Sequence, residues 1–167
     1  IGGDSEGNSI ITDAAGFIYL SGNFFGTTDF DPSATDFNIT SNGSSDVFIE
    51  KLSANGDLIW AKSVGGSQYD IGYSLAVDGS GNVITTGGFG TTVDFDPGGL
   101  VFDLSTIGGM DVFVLKLDGS GNFIWAKSFG GFFTEFGNAI TVDSQDNIYT
   151  TGYYYDNVDF DPSGVNY

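Results

Sequence analysis

The chain has 167 residues and a net charge of −18, with 22 acids set against four lysines and no arginine, histidine or cysteine. Without Cys or His there is no thiol nucleophile, disulfide frame, imidazole base or ordinary zinc ligand set. Scarce cations would leave a phosphate backbone repelled, so no nucleic-acid partner is expected, and no run approaches the ~20 apolar residues of a membrane span.

The first stretch, IGGDSEGNSIITDAAGFIYLSGNF, foreshadows two later ones, VGGSQYDIGYSLAVDGSGNVITTGGF from Val64 and FGGFFTEFGNAITVDSQDNIYTTGYY from Phe129, with two residues fewer. DFDP follows at Asp29–Pro32, then SATDFNITSNGSS over 33–45, whose apolar–polar alternation predicts an additional outer strand. Val47–Leu52 is short, β-branched and aromatic, suiting a strand buried on both faces. A turn at Ala54-Asn55-Gly56-Asp57 leads into a strand where Leu58, Trp60 and Lys62 alternate with Ile59 and Ala61. After a Gly-Gly break come a third strand, Ser74–Val77, a tight turn at Asp78–Asn82 and a fourth strand, Val83–Thr86.

The same order then returns. DFDP recurs at Asp94–Pro97, GGLVFDLSTIGGM (98–110) stands where the earlier insert stood, and Val112–Leu117 repeats the first strand. A turn at Gly119–Asn122, a strand at Ala139–Val142, a turn at Asp143–Asn147 and a strand at Ile148–Thr151 follow, before a third DFDP at Asp159–Pro162. DVFIEKLSANGDLIWAKS and DVFVLKLDGSGNFIWAKS share 11 of 18 residues, and each motif returns after 65. Repetition of this kind decides the architecture. Copies run approximately over 1–45 (partial), 46–110 and 111–167 (partial), about two and a half in one array. No segment carries a capped 3.6-residue apolar period, so almost no helix is expected.

Two related hairpins per copy make an all-β chain of four antiparallel strands per repeat, the content of a propeller blade. The blocks DVFxxKLxxxGxxIWAKSxGG, GNxxTTG and DFDP resemble the bacterial seven-bladed β-propeller repeat family, often called SBBP, over essentially the whole chain. The resemblance implies a secreted or cell-surface bacterial protein. A closed propeller needs ~4–8 blades, so the chain reads as an incomplete part of a longer propeller, and the chain opens on Ile1 rather than Met. A linear β-solenoid stack is the alternative.

The DFDP carboxylates are the candidate site. Residues i and i+2 of a strand share a face, which groups Asp29 with Asp31, Asp94 with Asp96 and Asp159 with Asp161, and turns the intervening Phe the other way. One reading has them cap a turn by accepting backbone N–H groups. The other has them bind calcium, which takes 6–8 oxygens. Two carboxylates are few for that ion. Asp36 is a candidate third ligand where the next copy has Val101, and Asp46 and Asp111, which recur, are candidate additional ligands.

The remaining features weigh toward structure. DGSGN at 78–82 and 118–122 lacks the alternating acids of an EF-hand and reads as hairpin turn. Trp60 and Trp125 are suited to stacking on sugars, but repeat-locked on strands they read as blade core. Lys51 with Lys116 and Lys62 with Lys127 suit local pairing with acids, and Tyr153-Tyr154-Tyr155 is the best case for an exposed patch. Asn38-Ile39-Thr40 and Asn42-Gly43-Ser44 match a glycosylation pattern that arises often by chance. A glycosidase needs its acid pair once per active site, whereas DFDP recurs in every copy, and Glu6, Glu50 and Glu135 show no partner. The expectation is a non-catalytic structural or adhesive array, with neighbouring repeats as its first partners. A glycan- or protein-binding module is the alternative.

Overall fold

The computed structural model describes residues 4–160, which are all β, with no helix among them. In chain order the strands are β1 (Ser5–Thr12), β2 (Ile18–Phe24), β3 (Thr27–Asp29), β4 (Asn38–Thr40), β5 (Asp46–Leu52), β6 (Leu58–Val64) and β7 (Ile71–Val77). They continue as β8 (Val83–Asp94), β9 (Asp103–Leu117), β10 (Phe123–Gly131), β11 (Phe136–Val142), β12 (Ile148–Tyr153) and β13 (Val158–Asp159). The first sheet has the order β1-β2-β5-β6 and the second β7-β8-β9-β10 with β13 added beyond β10; β11 and β12 begin a third. All these pairings are antiparallel, and the sheets do not close on themselves.

Short aspartate-led turns make the hairpins. Asp13, Asp78, Asp118 and Asp143 each accept, on Oδ1, the backbone N–H groups two and four residues on, at 2.8–3.0 Å. Ser53 does the same with its hydroxyl at 53–57. The fourth residue of each turn has positive φ, which glycine adopts without strain at 16, 56, 81 and 121; Asp146 holds it at 62° in the last. This recurrent turn accounts for four of the chain's 19 aspartates.

The two hairpins of one sequence copy belong to different sheets. The hairpin 46–64 completes the first sheet, and the hairpin that starts at Ile71 opens the second. Sheets that begin at Ser5, Ile71 and Phe136 are therefore out of phase with copies counted from Asp46 and Asp111. The sequence offers no signal for this, because two similar hairpins in alternation pair equally well with the neighbour on either side. The inserts also differ from expectation. Instead of outer strands, they lengthen the central hairpin: β4 pairs with β3, and Asp103–Ser105 pairs with Thr92–Asp94. Their alternation correctly marked strand, but the nearest partner was their own preceding segment.

Sheet packs on sheet. Tyr19, Val47, Ile49, Trp60 and Val64 from the first meet Phe89, Phe95, Phe113 and Leu115 from the second in one buried cluster. The far face of the second sheet, Ala76, Ile84 and Val114, meets Ile140 of the third. Trp60 belongs to the first seam, and Trp125 packs on the second, so the two tryptophans occupy like positions. Polar contacts recur with the same step: Ser9 Oγ accepts Leu75 N–H, and Ser74 Oγ accepts Ile140 N–H, both at 3.2 Å. Backbone also crosses, since Gly65 bridges Asp94 and Gly130 pairs with Asp159.

Each opening strand carries an irregularity at an equivalent point, between Gly7 and Ser9, Gly72 and Ser74, and Gly137 and Ala139. Opposite it stands a glycine, Gly22, Gly87 or Gly152, whose missing Cβ leaves room for the carbonyl of Glu6, Ile71 or Phe136. The glycine of the TTG block is thus a steric requirement. Gly87→Ala should push the Ile71 carbonyl away and cost about 1–3 kcal/mol, as overpacking does. A urea midpoint unchanged from wild type would contradict that account.

Candidate functional site

The DFDP acids act as a clasp. Asp29 Oδ1 accepts the N–H of Asp31 at 3.0 Å and of Phe37 at 2.8 Å. Asp94 Oδ1 accepts those of Asp96 and Phe102 at the same two distances. Asp31 and Asp96 each take one further amide, from Ser33 and Gly98, at 2.8 Å. The loop is pinned from its first residue, and the hydrogen bond from Phe37 heads the interactions that hold the Asp29 carboxyl below its usual range. Phe30 and Phe95 turn inward, each 1% exposed and each 5.2 Å, edge to face, from Phe24 or Phe89. Asp159 pairs through its backbone with Gly130; Asp161 lies outside the described residues. Among the described residues no three acids gather as a ligand cluster, and Asp36 stays exposed.

Asp46 and Asp111 have a different setting. Asp46 opens β5 and Asp111 lies inside the longer β9, each fully buried, at 0% and 2% exposure, with the backbone of Gly65 or Gly130 pressed against its carboxyl. The loop following the next strand brings a second acid beside it. Ser45 bridges Tyr69, and Asp70 N–H donates to Ser45 O at 2.9 Å; one repeat on, Glu135 N–H donates to Met110 O at 2.7 Å. The seams therefore hold Asp46 with Asp70 and Asp111 with Glu135.

The partners of these four carboxylates are backbone amides. Asp46 Oδ2 takes Asn42 N–H, Asp111 Oδ2 takes Ile107 N–H, and Asp70 takes Gly66 and Gly90 N–H on separate oxygens. Glu135 Oε2 takes Gly131 N–H, while Asp46 Oδ1, Asp111 Oδ1 and Glu135 Oε1 are buried with no partner at all. Burial raises the Asp46 carboxyl and drives Asp70 up to about 7, the charge of Asp46 adding to it. Asp111 is driven up to about 6 by burial, with Glu135 adding.

Sequence reasoning named Asp46 and Asp111 but not their partners. Asp70 belongs to no motif, and Glu135 shows no partner in the sequence. The two are in fact counterparts, 65 residues apart, differing by one methylene. A search for any acid at repeat spacing, rather than for the same acid, would have found the pair.

Other expected residues fall into place. The Trp60 indole N–H donates to Gly119 O at 3.2 Å, which makes it seam core. Lys116 pairs with Asp78 at 2.8 Å. Its counterpart Lys51 reaches Gly119 O instead and lies over the Phe17 ring at 4.5 Å, while the Tyr19 hydroxyl donates to Asp13. Tyr153, Tyr154 and Tyr155 are exposed, and Tyr155 meets Phe133 edge to face at 5.1 Å.

No family model matches the chain. Part of it is similar to an uncharacterized WD repeat-containing protein of Acanthamoeba polyphaga mimivirus, at 30% identity over 119 aligned residues, 63% of this chain and 9% of that protein. The likeness and the stacked antiparallel sheets agree. The chain is a propeller-like repeat module. It spans less than a tenth of the relative it matches.

Glu50 offers a pH test of this interior. Buried where the second sheet has Leu115, its carboxyl is pushed up to about 7 by burial, with the charge of Asp31 adding. An acid raised in the folded state costs nothing while protonated and costs stability once it must ionise. Its contribution is best below the unfolded value of 4.5, fades as pH rises to about 7 and is flat above. Glu50→Gln should flatten the fall of Tm between pH 5 and 7; parallel Tm–pH curves would refute this.

Proposed function

We propose that the chain is a non-catalytic structural or adhesive segment of a bacterial secreted or cell-surface propeller protein, of the seven-bladed repeat kind it resembles. One observation carries the reading: the side chains locked to the repeat are spent on holding sheets together. Phe30 and Phe95 plug the interior, Trp60 and Lys51 both reach Gly119 of the next sheet, and Ser9 and Ser74 bridge successive sheets. A catalytic site would require a feature that breaks the repeat. Surface acidity favours solubility of an extended array outside the cell.

A binding role is the second reading, favoured by the aromatic patch of Phe132, Phe133, Tyr153, Tyr154 and Tyr155, each at least 42% exposed. Rings so placed suit a glycan or a protein partner.

Two measurements separate these readings. If stacking is the selected property, a chain carrying one further in-phase copy of 71–135 unfolds at a Tm several degrees higher, as nearest-neighbour arrays do. A glycan panel should then show neither retention nor turnover. Retention lost in Tyr154→Ala would favour the binding module, and hydrolysis lost on changing one acid would overturn the non-catalytic reading.

A further inference from the structure

We propose that each seam between sheets is a binding site for a hard divalent cation, calcium by its donor chemistry, held by Asp111 and Glu135 in one seam and by Asp46 and Asp70 in the other. The inference concerns the seams alone and stands whatever partner the array has.

Three observations combine. Asp111 and Glu135 are 2% and 0% exposed, and each keeps one oxygen, Oδ1 and Oε1, with no hydrogen-bond partner. A buried carboxylate oxygen left unpaired costs the full desolvation of that group, so it needs either a proton or a cation. The two acids also lie close enough that the charge of one acts on the other, while their hydrogen bonds come from neutral backbone amides rather than from lysine. Finally, the arrangement is built twice with the same parts: a buried strand acid, a glycine backbone against its carboxyl, and a second acid brought by the following loop. A turn cap requires no second acid at this point, and an apolar seam would favour none.

The side-chain donors of each pair are carboxylate oxygens only, which suits calcium or magnesium and not the softer metals. Calcium's tolerance of irregular coordination suits a pair that is Asp–Asp in one seam and Asp–Glu in the other. The seams also differ in strength. Gly90 N–H satisfies Asp70, whereas Glu135 Oε1 lacks such a donor. Glu135 further lines a cavity of about 290 Å³ with Phe136, Gly137 and Thr151. The Asp111–Glu135 seam should therefore bind more tightly.

Calorimetric titration of the chelator-treated chain with calcium tests this. Two ions should bind per chain, and calcium at about a hundredfold over Kd should raise Tm by about 5 °C or more. Glu135→Gln and Asp111→Asn should each remove the tighter ion, Asp46→Asn the weaker, and Asp29→Asn with Asp94→Asn should leave both. Should the seam variants fail to fold, the wild type alone decides. No uptake at about 10 mM calcium would mean that the pairs share protons instead and would sink the proposal. Binding that survives the seam substitutions but is lost with the DFDP acids would sink it equally.

Discussion

The seam between successive sheets is the interaction on which everything else depends. Strands such as β5 bury both faces, so one sheet of this chain has no solvent side on which to rest. A two- or four-stranded piece with apolar residues on both faces is stable only against a neighbour. Phe89, Phe95 and Phe113 have somewhere to go because Val47, Ile49 and Trp60 of the preceding sheet meet them. The repeat of 65 residues is the chemical expression of that need: each unit has to present one face to the unit before and another to the unit after.

Holding such faces in register demands polar as well as apolar means. The chain uses backbone for part of it, through Gly65 with Asp94 and Gly130 with Asp159, and hydroxyls for another part, through Ser9 and Ser74. Aspartate does two quite different jobs in the same molecule. At the turns and the DFDP clasp it accepts backbone amides, and at Asp29 the bonds from Phe37 and Asp31 hold the carboxyl below its usual range. At the seams it is enclosed, and burial pushes the other way. The same residue type is stabilised as an anion in one place and penalised as one in the other.

The division between what the sequence disclosed and what it hid follows from physical range. Strands and turns depend on neighbours in the chain, so the alternation at Leu58–Lys62 and the DGSGN turns were legible directly. Phe30 inward and Asp29 as a cap were legible for the same reason. Sheet membership depends on which hairpin meets which across a loop, and near-identical hairpins erase that information. The acid pairs were hidden by a second effect. Asp46 and Asp70 lie far apart in sequence and converge only because Ser45 pairs with Tyr69, a bridge with no local signature.

Departures from the repeat are where the most can be learned. Tyr19 in the first copy stands where Ile84 stands in the second; its hydroxyl donates to Asp13, and Lys51 reaches across the seam to Gly119. With Ile84 in its place, Asp78 Oδ2 holds Lys116 beside the side-chain amide of Asn82. Ala139 replaces Ser74, so a third sheet-to-sheet hydroxyl bridge of this kind cannot form from it. Leu115 fills a seam with hydrocarbon, whereas Glu50 brings a carboxyl to the equivalent face, beside Phe24, Phe30 and Phe48. Exchanging Leu for Glu at a buried position is tolerable only while the acid can stay neutral or reach solvent. The faces of the array are thus alike in shape but not in chemistry, and a face carrying Glu50 cannot substitute for one carrying Leu115 without the energetic cost of burying that charge.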